Sequence, residues 1–207
     1  VRLIPILRAG LVAGLLAAPL TVPLAARAAD DPAVGVVRTL YTSFETALKG
    51  GPGDVRTRAA AIGATLTETI DFPAMARVAV GPTWKGFSPE QQGSLTEAFG
   101  QYFIATYATR LRQAAGGTFT VKPESEARGA DRLVQSEAAN ADGDSSQVDY
   151  LVGPGNRIRD IYLNGNVSEV ATLRGSFADP LKAGGADGLL KFLRERTAVM
   201  LAAKPAP

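Results

Sequence analysis

Neither cysteine nor histidine occurs in the 207 residues. The first absence removes disulfides, thiolate nucleophiles and zinc–thiolate sites. The second removes the commonest general base and the commonest transition-metal ligand. Any catalysis would have to run on carboxylates or lysines. An excess of one charge is missing as well. The formal net charge is +2, and residues 1–29 hold Arg2, Arg8 and Arg27 but no acid, so without them the balance is −1. Basic residues stand scattered among acids, which is not the clustered positive surface that nucleic acid requires. No nucleic-acid partner is expected.

Long apolar runs are scarce. The one at Leu11–Leu24 is broken by Pro19 and Pro23, follows Arg2 and Arg8, and leads into Ala25-Ala26-Arg27-Ala28-Ala29-Asp30. Positive charge, a short apolar run and then small residues is the order of a secretory signal, with cleavage near Ala28 or Ala29. The uninterrupted run is short for a membrane span of about 20 residues. The expectation is a signal peptide over 1–29, a single domain over 30–203 and a fraying tail over 204–207.

Within that domain, apolar spacing of three and four predicts helices. One covers 33–49, with Val34, Val37, Tyr41, Phe44 and Leu48 on one face. A second runs from an Asp54 cap to Ile70, and a third, capped by Asp71, ends at Gly81-Pro82. Ser88-Pro89-Glu90-Gln91 is a capping box. It opens a helix with Leu95, Phe99, Phe103, Tyr107 and Leu111 at a strict spacing of four, ending at Gly116-Gly117. Extended segments follow at 118–122, 131–137, 147–152 and 157–163, with a fifth piece at 167–170. Short turns between them favour antiparallel neighbours. Two helical segments separated by Gly184-Gly185 close the chain, with Pro180 bending the first or starting a turn. The fold class is α+β: helices packed on a curved, mostly antiparallel sheet of four to five strands.

The polar constellations read most simply as structure. Asp71 suits a helix cap better than one half of a catalytic carboxylate pair. Asp142 and Asp144 sit in a hairpin turn and lack the rest of a calcium loop. Gly-rich fragments at 51–53 and 153–155 lack the following Lys and Ser/Thr of a phosphate loop. Arg157-Ile158-Arg159 reads as an exposed strand face. The aromatic stripes are either plain core or the wall of an apolar pocket, the usual form of a small-molecule site. No catalytic residue, metal site or cofactor is expected, and the chain reads as no enzyme.

Several motifs in order resemble a known family. They begin with Asp71-Phe72, then Met75-Ala76-Arg77-Val78-Ala79-Val80-Gly81 and Trp84, then Ser88-Pro89-Glu90-Gln91-Gln92. Phe99, Tyr107-Ala108, Arg110-Leu111, Val148-Asp149-Tyr150, Ile158, Asp160-Ile161 and Ser168-Glu169 continue the series. Arg174, Phe177, Gly184-Gly185 and Asp187-Gly188-Leu189 end it. This pattern is similar to the toluene-tolerance / MlaC family of periplasmic phospholipid-binding proteins. The stretch from Asn166 onward looks closest to its hopanoid-biosynthesis-associated HpnM branch.

The resemblance implies a monomeric periplasmic carrier that takes lipid tails, of a hopanoid or a phospholipid, into a hydrophobic pocket. It also implies an inner-membrane transporter, RND-type or ABC-type, and an outer-membrane acceptor as partners. The pocket wall would draw on Phe72, Met75, Val78, Trp84, Phe99, Phe103, Tyr107, Tyr150, Ile161, Leu163, Val167, Leu173 and Phe177. The rival reading is a cell-envelope interaction or assembly module whose stripes are all core.

Overall fold

The structure, a computed structural model, describes residues 31–49 and 53–203. The expected signal peptide, the tail 204–207 and most of the Gly50–Gly53 stop lie outside these residues. Four helices come first: α1 (Pro32–Leu48), α2 (Val55–Thr69), α3 (Phe72–Val80) and α4 (Pro89–Arg110). Their starts are set by local chemistry. Each first turn leaves backbone N–H groups without intrahelical partners, and a short side-chain acceptor satisfies one of them. Asp54 accepts from the Thr57 N–H at 2.7 Å, and Asp71 accepts from the Ala74 N–H at 3.0 Å. Ser88 and Gln91 exchange both bonds of the capping box. α4 ends earlier than its glycine stop, running into a tighter 3₁₀ turn over Leu111–Ala114.

Seven strand segments follow: β1 (Thr118–Val121), β2 (Glu126–Arg128), β3 (Asp131–Val134), β4 (Ser136–Ala139), β5 (Ser145–Gly153), β6 (Arg157–Leu163) and β7 (Val167–Ser168). Every strand pairing is antiparallel. β3 and β4 keep one register against β5, so the expected 131–137 strand is a single line interrupted at Gln135. β1 and β2 pair along its other edge. The seven segments therefore lie along five lines. β2 has no signature in the sequence pattern, because all three of its residues are exposed and carry no alternation. The fifth extended piece shortens to Val167–Ser168, since Ser168 caps α5 (Glu169–Ala202) by accepting from the Ala171 N–H.

α5 is two helices joined across a break at Gly184 and Gly185, the latter at φ 56° where a side chain would be strained. Pro180 stays within helical geometry. Beyond the break the chain packs tightly, and a Cβ on Gly188 would lie 2.5 Å from the Pro180 carbonyl oxygen. The helices cover one face of the sheet. Val134, Tyr150, Val152, Ile158 and Ile161 from the sheet share one buried core with Val37, Leu40, Ile62, Leu66, Phe99 and Phe103 from the helices.

The Arg157-Ile158-Arg159 segment corrects its reading as an exposed face. Ile158 is fully buried and forms a parallel bridge to Ile70. The Arg157 guanidinium donates to the Thr67 and Ile70 carbonyls, satisfying the open end of α2, and Arg159 pairs with Asp131 at 3.1 Å.

Candidate functional site

The C-terminal end of α4 does not reach a filled interior. Between it, α1 and the sheet lies a cavity of about 570 Å³. Tyr41 and Phe44 of α1, Tyr107 of α4, Leu111, Phe119 of β1, Val148 and Tyr150 of β5, and Leu163 of β6 form its apolar wall. Strand alternation explains the sheet side. Ser146, Val148 and Tyr150 fall every second residue on β5 and so face inward together. On the neighbouring strand β4, Ala138 pairs with Ser146 and shares its inward face, while Ala139 pairs with Ser145 and faces the other way. Where a large side chain would interdigitate in a packed core, the Ala138 methyl group leaves room.

The aromatic rings brace one another around the opening. Tyr41 stacks on Phe119 at 4.7 Å and meets the edge of Tyr150 at 5.8 Å. Tyr107 stacks on Phe103 at 4.5 Å. The Tyr41 hydroxyl lies 2.6 Å from the Ser136 Oγ, which in turn donates to the Val148 carbonyl, so that polar chain is satisfied within the wall. Burial pushes the phenols of Tyr107 and Tyr150 well above their ordinary 10.0. It raises Tyr41 too, against the Ser136 hydrogen bond. All three phenols are therefore neutral at physiological pH. The wall offers shape and desolvation rather than acid–base chemistry.

Polar groups gather at the rim. Arg110 at the end of α4 donates from Nη1 to both Glu169 carboxylate oxygens, at 2.8 and 2.9 Å. Its guanidinium lies 5.6 Å from the Tyr107 ring centroid. Burial is the largest influence and works against the charge on Arg110, but Glu169, Tyr107 and Tyr102 together outweigh it and the pKa is raised. Gln113, Asn140, Asp144 and Ser146 complete the rim. Asp144 belongs to the β4–β5 turn, where it binds the Asn140 side chain. Among the described residues, no group of three or more His, Cys, Asp or Glu is placed to hold a metal ion, and no helix is long and apolar enough to cross a membrane.

Of the residues expected in the wall, Tyr107, Tyr150 and Leu163 line this cavity. Phe103 stands directly behind Tyr107. Phe72, Met75, Phe99, Ile161, Leu173 and Phe177 are buried in the packed core beyond it. Trp84 is buried in the 3₁₀ turn at Gly81–Gly86 and borders a separate shallow depression with Asp71, Arg77 and Arg159. Val78 and Val167 stand apart from both, 46% and 49% exposed. Val78 lies just off the buried stripe of α3 (Phe72, Met75, Ala76, Ala79, Val80), and Val167 sits on the two-residue edge strand β7. Tyr41, Phe44 and Phe119, outside the expected wall, also line the cavity. Tyr41 and Phe44 were visible only as part of the α1 stripe.

This arrangement has known relatives. The family model described as MlaC protein matches residues 36–195. The chain belongs to the MlaC family. This MlaC-family fold is similar to a phospholipid-binding protein of Ralstonia solanacearum whose structure was solved in complex with a phospholipid. The two are 29% identical, the TM-score is 0.68, and the match covers 81% of this chain and 98% of that one. No curated relative matches the chain.

Proposed function

We propose that the protein is a periplasmic lipid carrier, with 30–203 as its working domain and 1–29 as its export signal. The observation that carries this reading is the apolar cavity under the end of α4. Membership of the MlaC family and the similarity to a protein solved with a bound phospholipid support it. The cargo is a phospholipid or a hopanoid. It is delivered between an inner-membrane transporter, RND-type or ABC-type, and an outer-membrane acceptor. The role is physical transfer rather than catalysis.

The energetics suit a shuttle. If each CH₂ takes up roughly the 30 Å³ share of a water molecule, the cavity holds on the order of 19 such groups, the bulk of one long acyl chain. Each CH₂ favours an apolar pocket over water by about 0.8 kcal/mol. A tail is therefore retained while the carrier crosses the aqueous gap. Against a bilayer interior, which is equally apolar, the difference nearly vanishes. Loading and unloading at a membrane are then close to balanced, and a docked partner can tip them either way.

The test is uptake from vesicles. Protein incubated with vesicles of labelled phospholipid, or of phospholipid with a hopanoid, is separated by sedimentation. Lipid in the supernatant at one molecule per protein is the expected result. A lipid-free supernatant for both compositions contradicts the reading and leaves the interaction module.

A further inference from the structure

The rim has a polarity that the tail-binding wall does not explain. Arg110 is the one cation among the described residues that border the cavity. It is anchored on two sides, by Glu169 through Nη1 and by the Tyr107 ring beneath it. A guanidinium carries five N–H donors in a planar fork. Nη1 serves Glu169, and Nε and Nη2 have no hydrogen-bond partner among the described residues, while the side chain is 47% exposed. Glu169 does not cancel this cation outright. It is the first residue of α5, where the helix N-terminus already compensates part of a negative charge.

A lipid whose tail fills the cavity must leave its headgroup at this rim. We propose that Arg110, oriented by Glu169, is a subsite for the phosphate of a lipid headgroup. The free edge of the guanidinium meets two phosphate oxygens, the planar pairing for which arginine is suited. Glu169 is a positioning residue: it fixes the fork without touching the ligand. The proposal rests on the carrier reading and sharpens it, because it favours a phosphate-bearing lipid over an uncharged one.

The test compares three probes on the purified protein: a phospholipid, a diacylglycerol with the same tails, and inorganic phosphate. The protein should bind the phospholipid at least tenfold more tightly than the diacylglycerol, the scale of a charge-assisted hydrogen bond. Arg110→Gln should bring that ratio close to one by weakening phospholipid binding, and Arg110→Lys should restore part of it. If stranding the buried Glu169 carboxylate unfolds the single variant, Arg110→Gln combined with Glu169→Gln removes both charges and should give the same levelling. A full preference surviving in the folded variants overturns the proposal, as does equal binding of both lipids by the unaltered protein. Inorganic phosphate binding as tightly as the phospholipid also overturns it, since the site would then read a free anion. Binding of neither lipid instead overturns the carrier reading itself.

Discussion

The two ends of α4 carry the same stripe and do different things with it. Leu95, Phe99 and Phe103 are at most 2% exposed, with Phe99 and Phe103 set against the ring of Phe72 and Phe99 also against Phe177. The fit is close: a Cβ on Gly100 would come within 3.2 Å of the Phe72 ring. One and two turns later, Tyr107 and Leu111 continue the spacing of four but border open space, because the small Ala138 and Ser146 stand across from them. A helical stripe thus fixes which face turns inward. The volume of the side chains opposite decides whether that face becomes core or cavity wall.

The largest expected effect breaks the packed end. Phe99→Ala should cost about 3–5 kcal/mol in urea unfolding, the range for truncating a buried Phe. Phe119→Ala should cost clearly less, since part of that ring already faces open space and has fewer contacts to lose. A loss at Phe119 equal to that at Phe99 would mean the cavity is closed in solution. Next comes filling rather than emptying. Ala98→Trp at the packed end should cost at least about 1–3 kcal/mol through overpacking. Ala138→Trp should leave stability within about 0.5 kcal/mol while abolishing lipid uptake, as it occupies space that is already vacant. Uptake that survives Ala138→Trp would place the ligand elsewhere.

Two smaller effects serve as controls far from the cavity. Ser88→Ala removes a cap and should cost about 1 kcal/mol with uptake unchanged. Asp31, at the start of α1, has its pKa lowered from 3.8, chiefly by the Ser125 hydroxyl, with burial opposing and backbone N–H bonds assisting. A lowered folded-state pKa gives stability that is present above 3.8 and lost as pH falls through the folded value. Thermal melts should therefore show an acid limb below about pH 4 that flattens in Asp31→Asn. An unchanged limb would show that other carboxylates govern it.

Local chemistry was the legible part of this fold. Asp54, Asp71 and Ser88 act as caps because a cap needs only its own next three residues. Gly185 marks the break in α5 for a similarly local reason. Contacts distant in sequence were not legible. Nothing near Arg157 indicates that it closes the end of α2, ninety residues away. The candidate site divides in the same way. Tyr107, Tyr150 and Leu163 could be named from helix and strand periods, but those periods equally name Phe99 and Ile161, which are core. The decisive feature, the small pair Ala138 and Ser146 facing an aromatic helix end, appears only once the strands are paired.

The central claim is that the space under the end of α4 holds a lipid tail. Native mass spectrometry of the protein purified from its own compartment, with extraction and identification of whatever is bound, tests it most directly. The account predicts one lipid per chain, absent from the Ala138→Trp variant. A lipid-free mass that persists after exposure to phospholipid and hopanoid vesicles would contradict it.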